Sequence, residues 1–136
     1  MMKLVILALG VVIIGMLMYR LWKPYTSPPK TEVPAGQANL YFFYTDWCGF
    51  SQKAMPEWEK LEESLQKKSY YGNTKVTPIR VDADKDKKKA TLYNIDAYPT
   101  ILLETKNGIY DFTKVPKDES IRNFLRETLG KESSSL

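Results

Sequence analysis

An aromatic strand pattern followed at once by a long helical pattern constrains this 136-residue chain most. Residues 39–45 form a near-continuous apolar run, which is typical of a buried central strand. Residues 49–68 then carry apolar side chains three or four positions apart, which predicts an amphipathic helix. Pro56 falls inside this pattern and is expected to kink the helix. A strand that leads directly into a helix predicts an α/β fold.

The patterns further along complete a mixed sheet. They predict a strand, a short helix, two strands of a hairpin and a final amphipathic helix, over residues 76–82, 85–93, 100–104, 109–113 and 117–129. The first two strands should be parallel, because a helix connects them. Asn107-Gly108 lies between the later strands and favours a hairpin. Gly130 marks the end of the last helix, so we expect a folded domain over residues 38–130 and a flexible tail over 131–136.

The amino-terminal segment is strongly apolar. Residues 4–19 carry no charge, and residues 4–22 approach the roughly 20 residues that a membrane-spanning helix needs. We therefore predict a single-pass transmembrane anchor over residues 1–22, a membrane location, and a proline-rich linker over 23–37. A cleaved signal peptide fits less well, because Arg20 lies where cleavage would be expected. The positive charges on the two flanks are too evenly balanced to fix the side of the membrane that the domain occupies.

Composition excludes several classes of function. The chain has no histidine, which removes imidazole activation of a nucleophile and the commonest transition-metal ligand. Cys48 is the only cysteine, so no internal disulfide can form and we expect no metal and no cofactor. The net charge of +4 is mildly basic and predicts no nucleic-acid partner. A calcium loop beginning at Asp82 also fails, since Lys87 and Tyr93 stand where glycine and glutamate are required.

The motif WCGFS, residues 47–51, directly follows the first predicted strand. Further motifs are KAMPEWEKLEE, IRVDAD, YNIDAYPTILL and KNG, and they occur in that order along the chain. Together these motifs resemble the thioredoxin superfamily, and most closely the catalytic domains of protein disulfide isomerases. The resemblance covers residues 38–130 and implies a thioredoxin-like mixed sheet flanked by helices. It also places Pro99 at the position of the family's cis-proline.

The resemblance assigns roles to residues around Cys48. Cys48 is expected to be the nucleophile, because the start of a helix stabilises a thiolate. Ser51 occupies the position of the family's resolving cysteine and is expected to donate a hydrogen bond to the sulfur. Phe42 occupies the position of the family's buried acid. The expected client-binding rim consists of Trp47, Gly49, Tyr98 and Pro99. Because only the linker precedes the domain, the family's leading strand has little room, and we expect a truncated sheet.

The resemblance and the departures together leave two functions open. The first is monothiol thiol-disulfide exchange or isomerisation on thiol- or disulfide-containing protein clients, with glutathione or another protein as the resolving thiol. The second is a redox-inactive interaction module tethered to a membrane, in which Cys48 is only a packed small side chain. An iron–sulfur site of the monothiol glutaredoxin type is disfavoured, because the glycine pair that glutaredoxins use for glutathione is absent. The lysines that follow Asp82 are expected to form a solvated helix start.

Overall fold

The computed structural model describes residues 1–21 and 31–133. After helix α1 (Met2–Leu21), the chain forms β1 (Gln37–Tyr44), α2 (Gly49–Lys67), β2 (Tyr70–Tyr71), β3 (Thr74–Asp82), α3 (Lys87–Leu92), β4 (Thr100–Thr105), β5 (Gly108–Phe112), α4 (Asp118–Leu129) and β6 (Glu132–Ser133). All the strands and helices predicted for the domain are present, and their bounds differ from the prediction by one or two residues.

The strands form one mixed sheet in the order β5-β4-β1-β3-β2-β6. The central strand β1 pairs in parallel with β3, where Leu40 lies opposite Pro78. On its other side β1 pairs antiparallel with β4, and β4 and β5 form the predicted hairpin. The parallel pair is linked through α2, as the sequence predicts. This arrangement confirms the thioredoxin-like mixed sheet flanked by helices.

The two shortest strands were not predicted, and they change the picture of the carboxyl terminus. Tyr70 and Tyr71 of β2 pair with Ser133 and Glu132 of β6. Arg122 reinforces this pairing, because its Nη1 donates to Glu132 Oε1 at 3.0 Å. The tail predicted over residues 131–136 is therefore ordered as far as Ser133, and residues 134–136 lie outside the described part of the chain.

The outer edge of β3 is mostly open. Among the residues that the structure describes, only β2 lies against this edge, and it pairs with Thr74 and Lys75 alone. The Val76 N–H also points outward and donates to the Ser69 carbonyl at 2.7 Å. Because N–H groups alternate between the two sides of a strand, the nitrogen of Pro78 faces the same open side. Within residues 1–21 and 31–133, only the two-residue strand β2 thus pairs with this edge, and no longer leading strand is seen there.

The core lies on both faces of β1. Even-numbered residues of β1 face helices α2 and α4, in an apolar cluster that we call the α2 face: Leu40, Phe42, Trp58, Leu61 and Leu125 are central to it. Odd-numbered residues face α3, in a second cluster that we call the α3 face: Tyr41, Phe43, Val81, Ala90 and Leu102 are central there. The Phe42 and Trp58 rings stack at 4.9 Å on the α2 face. This packing fixes α2, and therefore Cys48, relative to the sheet.

The predicted transmembrane anchor is not confirmed. Within residues 1–21 and 31–133, the structure contains no helix with both the length and the apolar character that a membrane span requires. Residues 22–30, which include most of the predicted linker, lie outside the described residues. At the end of that linker Val33 is buried, and Thr31 Oγ1 donates to the Lys106 carbonyl at 3.2 Å. Residues 31–33 of the predicted linker therefore pack on the domain, ahead of the predicted boundary at Ala38.

Candidate functional site

Cys48 caps the amino terminus of α2. A turn after β1 leads into it, and its backbone is extended, with φ −84° and ψ 116°. Its carbonyl accepts the first helical hydrogen bond, from Gln52 N–H at 3.0 Å. The side chain is partly exposed, so the sulfur is accessible. The unpaired N–H groups of the first helical turn therefore lie next to an accessible sulfur, which favours a thiolate.

The local hydrogen bonds lower the pKa of the Cys48 thiol. The largest cause is the backbone N–H of Ser51, which stabilises the thiolate. Partial burial opposes this effect, while the Ser51 hydroxyl and the Phe50 N–H add to it. The protonated thiol also donates to the Tyr98 carbonyl, with Sγ and O 3.4 Å apart. That contact is made only by the protonated thiol, because a thiolate has no proton to donate. When Cys48 ionises, it loses this contact and accepts from the Ser51 and Phe50 N–H groups instead.

Ser51 lies beneath the sulfur in the first turn of α2. It is buried, and its Oγ accepts a hydrogen bond from the Thr45 N–H at 3.4 Å. The serine that stands in the resolving position therefore ties the turn after β1 to the helix. The same hydroxyl contributes to the lowered pKa of Cys48.

The expected client-binding residues surround Cys48. The Trp47 indole is 70% exposed, and its Nε1 donates to Asp84 Oδ2 at 3.0 Å. Its ring meets the Tyr98 ring edge-on, with centroids 6.3 Å apart. Gly49 is exposed, with open space where a side chain would begin. The Tyr98–Pro99 peptide is cis, as the resemblance implied. Together these residues form a rim around the accessible sulfur.

An apolar groove extends from this rim along α2, and sequence reasoning did not find it. Its volume is about 720 Å³.

 Six apolar residues line the groove: Phe50, Ala54, Tyr98, Pro99, Val115 and Pro116. Three charged residues, Lys53, Glu57 and Lys117, line it as well. Phe50 and Val115 are 73% and 69% exposed, which is unusual for large apolar side chains. Phe50 lies within the quoted motif and could have been found there, whereas no sequence pattern brings the loop containing Val115 to α2.

The position of the family's buried acid holds an aromatic ring. Phe42 is fully buried, and its ring stacks on Trp58 beneath the start of α2. A carboxylate is therefore not available at this position to accept or return a proton at Cys48.

Metal binding finds no support at this site. In the described part of the chain, no three side chains among histidine, cysteine, aspartate and glutamate come together in a way that could hold a metal ion. Cys48 is the only thiol of the chain.

A mixed sheet with an accessible cysteine at the start of the helix after its central strand, facing a cis-proline, defines a thioredoxin-type domain. The sequence model of the thioredoxin family matches residues 30–127, and the chain belongs to this family.

Individual relatives agree with this assignment. A thioredoxin domain-containing protein of Acanthamoeba polyphaga mimivirus is 32% identical over 100 residues, which cover 71% of this chain and 28% of the viral protein. Human protein disulfide-isomerase A4 is 29% identical over 123 residues, which cover 82% of this chain and 18% of the human protein. The chain thus spans less than a third of the length of either relative.

Solved structures show the same fold. The zinc-bound form of human ERp44 superimposes with a TM-score of 0.57 and 27% identity, over 66% of this chain and 26% of ERp44. The first thioredoxin domain of mouse protein disulfide-isomerase A4 gives a TM-score of 0.56 and 27% identity, over 66% of this chain and 61% of that domain.

Proposed function

We propose that this chain performs monothiol exchange on thiol- or disulfide-containing protein clients through Cys48. The observation that carries the proposal is the accessible sulfur of Cys48 at the start of α2, beside the open apolar groove. The N–H groups around Ser51 favour the thiolate, which is the form that attacks a disulfide. Kinship with protein disulfide isomerases adds support for this class of chemistry.

The chemistry balances with a single protein thiol. The Cys48 thiolate attacks one sulfur of a client disulfide, the bond between the client sulfurs breaks, and the second client sulfur leaves as a thiolate. If a client thiolate then attacks the mixed disulfide, Cys48 is released and the client is isomerised without net electron transfer. If two glutathione molecules act instead, the client gains two electrons and leaves as a dithiol, and glutathione disulfide forms.

The groove supplies the proposed client contact. A client cysteine that reaches Cys48 brings its neighbouring residues over Trp47 and Tyr98, and an apolar neighbour fits between Phe50 and Val115. Burying one such side chain contributes roughly 1.5–3 kcal/mol. We therefore propose clients with an apolar residue close to the reacting cysteine.

The first experiment is the pH dependence of Cys48 alkylation on the full chain in nonionic detergent. We expect a midpoint below the roughly 8.5 of a free cysteine, because the Ser51 N–H lowers the pKa of the thiol. A midpoint at or above that value, or no reaction before unfolding, would leave only a binding role for the domain. Cys48→Ser, which has no thiol, is the negative control for this measurement.

The second experiment measures exchange with a peptide that carries a glutathione mixed disulfide beside a leucine. We expect Val115→Asp and Phe50→Ala to raise KM about tenfold, which corresponds to roughly 1.4 kcal/mol of lost contact. Alkylation by the small reagent iodoacetamide should be unchanged in both variants. Tyr110→Ala is the matched control, because Tyr110 is an exposed aromatic residue outside the groove. Equal loss in the control would refute the groove as the client site.

A redox-inactive interaction module is the second candidate, and two residues favour it. Phe42 stands at the position of the family's buried acid, and Ser51 stands at the position of the family's resolving cysteine. This function needs the groove but not the sulfur. Client peptides that bind equally well to the natural chain and to Cys48→Ser, without any exchange, would establish it.

Attachment to a membrane through residues 4–22 is a further part of the proposal, and it rests on the sequence. The support is the uncharged run over residues 4–19. The test is extraction of membranes with alkaline carbonate, in which we expect the full chain to stay in the pellet. The double variant Val12→Lys, Ile13→Lys should move to the supernatant. Release of the natural chain by carbonate would show that residues 4–22 do not anchor it in the membrane.

A further inference from the structure

A second cavity lies on the α3 face, at the end of β1 far from Cys48. Its volume is about 480 Å³, within the range of small-molecule sites. Asn39 and Tyr41 of β1 and Glu104 of β4 line it, together with Tyr93 at the end of α3. The segment before β1 lines it from another side, through Glu32, Val33 and Pro34.

A hydrogen-bonded cluster surrounds a buried carboxylate in this cavity. Glu104 is only 5% exposed, and its Oε2 accepts from the Tyr41 hydroxyl at 3.2 Å and from Asn39 Nδ2 at 3.4 Å. Asn39 Nδ2 also donates to the Tyr41 hydroxyl oxygen at 3.3 Å. A buried carboxylate requires such donors, because its transfer out of water is otherwise very costly.

The two tyrosines of the cluster stay neutral. Burial raises the pKa of Tyr93, and its hydrogen bond to Tyr41 raises it further. Burial is also the main cause that raises the pKa of Tyr41. The charged groups in the described lining are therefore two carboxylates, Glu104 and Glu32, and the lining contains no lysine or arginine.

A positive charge already lies against the edge of this cluster. The ammonium group of Lys89 is 4.6 Å from the centroid of the Tyr41 ring, a cation–π distance. The aromatic surface of the cluster therefore accommodates a cation, and the described residues that line the cavity beside it offer acceptors but no lysine or arginine.

We propose that this cavity binds a small organic cation, a primary ammonium or guanidinium ion on a short aliphatic chain, with Glu104 as its counter-ion. The hydroxyl oxygens and Glu32 supply further acceptors, and Val33, Pro34 and Leu92 provide apolar surface for the aliphatic chain. The cation is either a free solute or an arginine side chain of a peptide. This inference does not depend on the chemistry of Cys48.

The test is a titration of the full chain in nonionic detergent, followed by NMR through the side-chain amide of Asn39. The probes are n-butylammonium, n-butylguanidinium and, as the uncharged match, n-butanol. We expect saturable shifts with a Kd of about 1 mM for at least one of the two cations, a typical value for a fragment, and at least tenfold weaker binding of butanol. Shifts that stay linear, or equal binding of butanol, would overturn the proposal.

The two sources of the cation are separated by one more probe, acetyl-arginine amide. Saturation with this probe identifies an arginine side chain as a possible occupant, whereas saturation with the butyl cations alone identifies a free solute. Both results support the cavity as a cation site, and saturation with none of the three cations refutes it.

Variants test the role of Glu104. Glu104→Gln keeps the shape of the side chain, and we expect cation binding to weaken about tenfold or more. Glu63→Gln is the matched control, since it removes the same charge from the exposed surface of α2. If Glu104→Gln does not fold, Glu32→Gln replaces it with an expected weakening of about threefold, because Glu32 is exposed. Unchanged binding in the folded variants would overturn the proposal.

Discussion

The two faces of β1 differ in polarity. On the α2 face, Leu40 and Phe42 belong to a closed apolar cluster that supports the helix beginning next to Cys48. On the α3 face, Asn39 and Tyr41 join Glu104 in a hydrogen-bonded cluster that opens into a cavity. One strand thus separates an apolar face from a face that is apolar near Phe43 and polar near Asn39.

This difference shows where the chain can tolerate a buried acid. Glu104 is buried among hydroxyl and amide donors, whereas Phe42 is buried in an apolar cluster and stacks on the Trp58 ring. At the end of the same strand, the Cys48 thiolate is favoured by the N–H groups of the first turn of α2, and the side chain at position 42 is a ring that cannot act as a base.

The largest expected effect comes from placing an acid on the apolar α2 face. Phe42→Glu should lower the free energy of unfolding at pH 7 by about 3–5 kcal/mol or more, because it removes a buried ring and buries an unpaired charge. Burial raises the pKa of a carboxyl, so the folded variant binds its proton more tightly than the unfolded one. Its stability should therefore fall as pH rises above about 4, until the pH passes the raised folded pKa.

Urea unfolding at pH 5 and pH 8 checks this prediction. Phe42→Leu is the control, with an expected cost below about 2 kcal/mol and no added pH dependence. A Phe42→Glu variant as stable as the natural chain at pH 8 would show that the α2 face is not dry.

The second effect comes from removing the acid on the α3 face. Glu104→Leu should cost about 2–3 kcal/mol, because the Tyr41 hydroxyl and the Asn39 amide lose their acceptor while staying buried or partly buried. Glu104→Gln should cost about 1 kcal/mol, since its carbonyl oxygen can still accept. Urea unfolding measures both, and a Leu variant more stable than the Gln variant would contradict the polar character of this face.

A smaller effect is expected at the sulfur itself. Ser51→Ala removes the hydroxyl but keeps the backbone N–H, which is the larger cause of the lowered pKa of Cys48. The alkylation midpoint should therefore rise only in part, and the thiolate fraction at pH 7 should fall. Because folding lowers this pKa, the thiolate stabilises the fold fully above roughly pH 8.5 and less as pH falls through the folded pKa. An unchanged midpoint would show that the Ser51 hydroxyl does not stabilise the Cys48 thiolate.

The smallest effect on stability is expected at Asp84. Asp84→Ala frees the Trp47 indole from its 3.0 Å hydrogen bond, and we expect a change in unfolding free energy within about 1 kcal/mol. The NMR signal of the indole N–H should nevertheless move and broaden. Asp111→Ala is the control, since Asp111 is an exposed aspartate on β5. An unmoved indole signal would show that Asp84 does not hold Trp47 in solution.

The elements with strong local patterns were predictable from the sequence. The apolar run of β1, the helical spacing of α2 and the Asn107-Gly108 turn each carry their signal within a few residues. Cys48, Trp47 and Pro99 were found because their motifs are local too. The strands β2 and β6 were missed because two residues carry no periodicity, and their pairing depends on chain segments about 60 residues apart.

The cavities were missed for the same physical reason. Asn39 and Glu104 are 65 residues apart, and only the register of β1 with β4 makes them direct neighbours. Val115 and Phe50 line the same groove because the segment before α4 is held on α2, where the Asp118 N–H donates to Glu57 Oε2 at 3.0 Å. Long-range packing of this kind leaves no trace in a single sequence.

The position of Pro78 has a consequence for how copies of this domain behave when they are crowded together. A sheet edge with free N–H and carbonyl groups is a template on which a strand of another molecule can add, which is a first step of aggregation. At Pro78 the open edge of β3 has no N–H to offer, so an arriving strand would lose a ladder bond near the middle of its contact. The proline thus disfavours the addition of a further strand along the part of β3 that the described residues leave unpaired.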